Sequence, residues 1–179
     1  TTLHGTDITL LGRDKSFKPV IEYVLNQSDF VTAVSESLKK DTLSYFNIEN
    51  DIITIPNFID SNLYNSFSDN LQRDKFASQN EPILIHVSNF RKVKRVDDVI
   101  KIFKKVNDIF PSKLLMIGDG PDRMKAEQLS RKLGISNNVK FFGKLIAFEH
   151  MLSLADIFIL PSQTESFGLV ALEAMASKV

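Results

Sequence analysis

The sequence predicts an α/β protein built on doubly wound parallel sheets. Three observations lead there. Short, near-continuous apolar runs recur along the 179 residues, stretches of helical apolar period separate them, and one irregular polar tract interrupts the alternation. Runs that are apolar throughout suit strands covered on both faces, which are usually parallel. Strand–helix alternation at this spacing reads as βαβ units.

A first strand ends just before His4, and further strands are predicted at 30–34, 52–55, 83–87, 114–117, 139–142 and 157–160. Between them, one helix carries Ile21, Val24 and Leu25. The longest apolar stripe runs through Val96, Val99, Ile100, Phe103, Val106, Ile109 and Phe110, and Pro111 is expected to end it. Later helices carry Phe148, Met151, Leu152 and Ala155, then Val170, Leu172, Ala174 and Met175. The tract 57–82 is rich in Asn, Ser, Asp and Gln with scattered aromatics. The order is β-α-β-α-β before it and β-α-β-α-β-α-β-α after it. The expected organisation is therefore the C-terminal part of one domain over 1–56, a linker over 57–82, and a second, nearly complete domain over 83–179 that is truncated at its end. Two or three strands alone would not bury a core, and the first residue is Thr rather than Met, so the chain is expected to be part of a longer protein. No repeat of domain-building length and no low-complexity tract stands out.

Composition narrows the function classes. Lys plus Arg number 22 against 22 Asp plus Glu, a balance that argues against a nucleic-acid binder working by phosphate neutralisation. Cysteine is absent, which excludes disulfides, thiolate metal sites and cysteine nucleophiles and is compatible with a cytoplasmic setting. No apolar run approaches the ~20 residues of a membrane span, and no secretory leader is expected. A metal reading would need more ligands than His4 and the nearby Asp7, with His86 and His150 far off in sequence, so no metal is expected. His86, inside an apolar strand, reads as a core residue with a satisfied hydrogen bond.

The most informative stretch is Pro161-Ser-Gln-Thr-Glu165-Ser166-Phe167-Gly168-Leu-Val-Ala-Leu-Glu173. It follows an apolar strand and opens a helix. Ligands of open parallel sheets bind beyond the carboxyl ends of the strands. The amides of Ser166, Phe167 and Gly168 would be donors at a helix N-terminus, suited to a phosphate or a sugar oxygen, and Gly168 would let the backbone come close. Glu173 would accept from two neighbouring hydroxyls of a sugar ring. The plainer alternative is a capped helix start with acidic residues favoured by the dipole.

These residues resemble the Glu-x7-Glu signature of family 4 retaining glycosyltransferases of GT-B architecture, which pair two Rossmann-like domains. Three more segments agree in order. Pro56-Asn57-Phe58-Ile59-Asp60 is similar to the family's interdomain Pro-Asn-Gly-Val-Asp, Gly118-Asp119-Gly120-Pro121 to its Gly-x-Gly-Pro turn, and Val139-Lys140-Phe141-Phe142-Gly143 to its Val-x-Phe-x-Gly strand end. The opening His4–Gly12 stretch and His86-Val-Ser-Asn-Phe-Arg91-Lys-Val-Lys94-Arg95 narrow the resemblance to the members that join N-acetylglucosamine to L-malate in bacillithiol biosynthesis.

The resemblance implies a UDP-sugar donor, a small soluble acceptor and no cofactor. Lys94 takes the position of the lysine that grips the donor diphosphate. The family's arginine, five residues earlier, is Asn89 here, which makes Arg91 the candidate substitute. Lys101, Lys104 and Lys105 read simply as the solvated face of the following helix. Glu173 is implied at the donor ribose and Glu165 at the hexose, with Gly118, Gly120, Arg123 and Phe142 on the nucleotide side. The turn after Gly118 lacks the third glycine of a dinucleotide fingerprint, since Arg123 stands there, and its plain reading is a tight turn with Pro121 opening a helix. His4 is implied to face the transferred sugar, and Thr2 and Thr6 to meet the acceptor. A lipid or polysaccharide acceptor and a non-catalytic nucleotide-binding module are the alternative readings. The residues leave homo-oligomerisation open, and 1–179 alone is expected to be inactive.

Overall fold

The computed structural model describes all residues except 6, 7, 9–11, 13 and 66–72. The chain divides into two compact units: Thr1–Phe58 with Glu165–Gly168, and Ile59–Thr164 with Leu169–Val179.

In the first unit, strands β1 (Thr2–Leu3), β2 (Val31–Ala33) and β3 (Ile52–Thr54) form a parallel sheet in that order. Helix α1 (Lys18–Asn26) has Pro19 in its first turn, where a missing N–H costs nothing. Helix α2 (Glu36–Tyr45) starts at Ser35, whose hydroxyl accepts from the Leu38 amide at 3.2 Å. Leu3, Leu25, Val31, Ala33, Leu38, Phe46 and Ile52 build the core. The strands are shorter than their apolar runs suggest. Phe30 lies outside β2 and is exposed, and Ile55, past β3, is exposed as well.

The second unit has four parallel strands, β4 (Ile83–Val87), β5 (Lys113–Ile117), β6 (Val139–Gly143) and β7 (Ile157–Phe158), in the order β6-β5-β4-β7. Side chains alternate across the sheet. Leu84, Leu114 and Met116 enter one core with Phe103 and Ala126, while Ile83, Ile85, Leu115 and Ile117 enter another with Tyr64, Met151 and Ala174. A strand such as β4, buried at all five residues, must be apolar on both faces, which is why it reads as a continuous run. The first core is covered by α4 (Val96–Asn107) and α5 (Arg123–Lys132), the second by α3 (Asn62–Asn65), α6 (Glu149–Leu152) and α7 (Leu169–Ala176). Ile59, Tyr64, Phe76 and Ala77, all from the irregular tract, pack into this second core. Among the described residues no helix is long and apolar enough to cross a membrane.

Three sequence expectations are corrected at element ends. Helix α4 stops at Asn107, and Ile109 and Phe110 lie beyond it, 71% and 62% exposed. The stripe loses its last turn because the chain leaves helical geometry before Pro111, while Asp97 and Asp98 in the first turn and Lys104 and Lys105 in the last still match the dipole. Helix α5 begins at Arg123 with Asp122 as its N-cap, so Pro121 precedes the helix. Helix α6 spans only four residues, and Ala155 packs from the turn that follows.

Phe103 is fully buried between α4 and the sheet. Phe103→Ala is expected to destabilise the protein by about 3–5 kcal/mol, read from the shift of the urea midpoint.

Candidate functional site

The second unit brings its sequence-predicted residues to the carboxyl ends of its strands. The chain runs outward from β4 through β5 to β6, then returns to the other side of β4 as β7. The winding therefore reverses between β4 and β7, which is where open α/β sheets bind ligands. Arg91 and the 3₁₀ turn Lys92–Lys94 follow β4, Gly118, Gly120 and Arg123 follow β5, Phe142 lies near the end of β6, and Glu173 sits in α7 after β7.

A buried imidazole holds this point together. His86 on β4 is 0% exposed, its Nδ1 lies 2.8 Å from the Ile159 carbonyl oxygen, and its Nε2 lies 2.8 Å from Ser88 Oγ. A carbonyl can only accept, so Nδ1 carries the proton and Nε2 accepts from the serine hydroxyl. Ser88 Oγ in turn accepts from the Phe90 amide at 3.3 Å. The expectation of a satisfied core histidine agrees with this geometry. Phe90 is fully buried with φ of +37°, an uncommon conformation for a bulky residue. The loop after β4 is thus fixed before the 3₁₀ turn begins.

That turn is closed by the Lys94 amide donating to the Arg91 carbonyl at 2.8 Å. Its middle residue, Val93, accepts from the Gln163 amide at 2.8 Å, which ties the loop after β7 to the loop after β4. Arg91 is exposed and Lys94 half-buried. Gly118, at φ of +121°, packs against the β4 loop so closely that a Cβ would overlap the Ser88 carbonyl oxygen. The Asp122 amide donates to the Phe90 carbonyl at 3.0 Å, joining the loops after β4 and β5.

The Arg123 guanidinium is held by Glu127 (Nε to Oε1, 2.9 Å) and Asp119 (NH1 to Oδ2, 3.4 Å), and the Glu127 hydrogen bond pushes its pKa up. Phe142 falls where the β5–β6 register slips. Its ring meets Phe76 edge-on at 5.7 Å, and Lys140 Nζ lies 4.8 Å and 5.3 Å from the Phe76 and Phe142 ring centres. Glu173 is half-buried, and Tyr64 donates to its Oε1 at 3.1 Å. Burial raises the Glu173 carboxyl above its ordinary pKa, the Tyr64 hydrogen bond opposes this, and the Glu149 charge adds to it.

The first unit holds the remaining candidates. His4 is exposed just after β1, and Thr2 Oγ1 accepts from Thr32 Oγ1 at 3.0 Å. Thr6 lies outside the described residues. Residues Glu165–Gly168 belong to this unit. The Ser35 hydroxyl donates to the Ser166 carbonyl at 2.6 Å, Phe167 packs on the core, and Gly5 (φ +123°) leaves just the room that the Ser166 side chain occupies. Gly168 is in the left-handed region at φ of +85° and immediately precedes α7. Glu165 and Glu173, eight residues apart in one motif, thus fall in different units. Among the described residues, no three His, Cys, Asp or Glu side chains group to hold a metal.

The sequence reading missed Ser35, Gly5, Ser88 and Tyr64. Ser35 carries a local signal, a serine before a helix, but that signal explains only its capping bond. Gly5 stands beside the chosen His4, and Ser88 two residues beyond His86. Tyr64 carries no local signal, because its partner is 109 residues away.

Residues 68–179 match the family described as glycosyl transferases group 1, and residues 1–63 match glycosyltransferase family 4. The chain is 47% identical to N-acetyl-alpha-D-glucosaminyl L-malate synthase of Bacillus anthracis over 100% of its own length and 47% of that protein. It is 29% identical to an uncharacterized glycosyltransferase of Methanocaldococcus jannaschii, over 98% of this chain and 48% of the relative. The chain therefore spans about half the length of these curated relatives. Among solved structures, Anabaena HepE in complex with UDP and glucose superposes with a TM-score of 0.82 at 22% identity, covering 98% of this chain and 50% of that one. Sucrose-phosphate synthase from Thermosynechococcus elongatus gives 0.80 at 22%, covering 98% and 47%. These likenesses establish the fold as part of a GT-B architecture with Rossmann-like parallel sheets.

Gly118→Ala places a methyl group against the Ser88 carbonyl and forces a strained φ. A loss of about 1–3 kcal/mol in the urea-unfolding free energy is expected.

Proposed function

The chain belongs to the glycosyl transferases group 1, and from that premise we propose that it serves a retaining transferase moving N-acetylglucosamine from UDP-N-acetylglucosamine to L-malate. The observation that carries this reading is the 47% identity, along the entire chain, to an N-acetyl-alpha-D-glucosaminyl L-malate synthase. The placement of Lys94 and Glu173 in elements that follow β4 and β7 supports it, since a nucleotide is expected where the winding reverses.

The chemistry follows from charge. As the glycosidic bond to the donor breaks, negative charge gathers on the departing diphosphate. Fixed cations and aligned dipoles aimed at that position lower the barrier. Lys94 supplies a point charge and Arg91 a planar fork able to hold two phosphate oxygens. The amides of Ser166, Phe167 and Gly168, just ahead of α7, would be donors of the kind that bind phosphate. Glu173 accepts from the vicinal ribose hydroxyls. The family resemblance assigns Gly118, Gly120, Arg123 and Phe142 to the nucleotide side, and the missing side chains of Gly118 and Gly120 let this turn pack against the loop after β4. The family resemblance assigns His4 and Glu165 to the hexose, and Thr2 and Thr6 to the acceptor. It also lets the departing phosphate take the acceptor's proton, so that no separate base is required.

The test is incubation of the full-length enzyme with UDP-N-acetylglucosamine and L-malate. The expected product is the α-configured glycoside, seen by mass spectrometry and NMR, and its absence would reject this acceptor. Lys94→Ala is expected to lower turnover by about 10²–10³, the usual cost of removing one donor to a developing anion. Glu173→Ala is expected to weaken UDP binding by about 1.5–3 kcal/mol in calorimetry, as for hydrogen bonds to a charged group.

A further inference from the structure

Glu173 reaches its position with help from outside its own motif. Helix α3 lies in the polar tract that the sequence marks as irregular, yet its Tyr64 is only 7% exposed and packs in the same core as α6 and α7. A buried phenol needs a partner for its hydroxyl, and a half-buried carboxylate needs donors. Each meets the other's need: Tyr64 donates to Glu173 Oε1 at 3.1 Å. Of the groups acting on this carboxylate, Tyr64 comes from α3 and Glu149 from α6, while the Ser177 amide and hydroxyl bond only the Glu173 backbone carbonyl.

We propose that Tyr64 is a positioning residue for the nucleoside-diphosphate donor. Its hydroxyl fixes the Glu173 carboxylate in one orientation, so that the remaining lone pairs meet two vicinal hydroxyls of the ligand. The inference rests on the donor-site reading of Glu173. A carboxylate offers about four acceptor positions, and one occupied by an internal donor leaves enough for a diol. The phenol is suited to the task because it does not give up its proton: burial, with the Glu173 charge behind it, raises its pKa to about 12. It therefore donates throughout the working pH range. The same bond lowers the carboxyl pKa against burial and against Glu149, which keeps the carboxylate ionised to lower pH.

The sign of the pH effect follows. Diol binding needs the ionised carboxylate and is lost as pH falls through the Glu173 pKa. Without the phenol hydroxyl that pKa rises, so binding is lost at a higher pH.

The experiment is calorimetry of UDP against the full chain from pH 4.5 to 8. Tyr64→Phe keeps the buried ring, and it is expected to weaken UDP about tenfold near neutrality and to move the acid midpoint upward. Glu173→Gln is expected to weaken UDP as well, with Tyr64→Phe adding almost nothing in the double variant. Wild-type affinity and an unmoved acid midpoint in Tyr64→Phe, beside a clear loss in Glu173→Gln, would overturn the role of Tyr64 alone. Unchanged UDP affinity in Glu173→Gln would overturn the donor-site reading and this inference with it. Ring-labelled tyrosine NMR reads the bond without altering Tyr64: its titration is expected near pH 12 in the wild type and lower in Glu173→Gln. A Tyr64 titration unmoved by that substitution would also overturn the proposal.

Discussion

The second unit depends on the pairing of β4 with β7 at the point where the sheet changes winding direction. Strand β7 is only two residues long, and its ladder is extended by the Ile159 amide donating to the Ile85 carbonyl at 2.9 Å. Beyond that, the His86 imidazole takes over and reaches the Ile159 carbonyl from the side. A side chain thus continues pairing that the backbone has abandoned, and the two chain directions separate around it. Because the imidazole is fully buried with both nitrogens occupied, its tautomer is set by its partners. Ser88, Phe90, Gly118 and Asp122 are linked to it in turn by hydrogen bonds or close contact.

This arrangement explains why the candidate donor residues come from loops and helix starts and not from strands. The strands supply apolar side chains to two cores and leave their carboxyl ends to present polar backbone. Helix α4 and the 3₁₀ turn before it are braced at Val93 by the Gln163 amide. Lys94 therefore sits on a turn braced at its middle residue and closed by its own amide on the Arg91 carbonyl.

Much of the fold was legible because it rests on local pattern. The run Ile83–Val87 is apolar at almost every position because both faces are covered, and the α4 stripe repeats at helical spacing because one face meets the sheet. The ends were less legible. Whether Ile109 continues a helix is decided by tertiary packing, and periodicity carries no information about that. Candidate residues can be nominated from sequence where chemistry is concentrated in a motif, as with Lys94 and Glu173, but not where a contact spans the chain. His86 meets Ile159 across 73 residues and Tyr64 meets Glu173 across 109. The engagement of Arg123 is the opposite case. Asp119 and Glu127 stand four residues to either side of it, a spacing at which ion pairs form along a helix and just ahead of it.

Two non-glycine residues with left-handed backbone, Phe90 and Arg95, bracket the turn that carries Lys94. In Arg95 that conformation separates the 3₁₀ turn from α4, and its guanidinium anchors on Asp98 at 2.7 Å. Ordinary side chains raise the energy of such a bend, but they also shrink the range of shapes the unfolded segment can sample. A more permissive residue at position 95 would relieve the bend and at the same time enlarge that range. The turn thus holds a costly bend whose strain is partly offset by the smaller conformational entropy that its side-chain-bearing residues lose on folding.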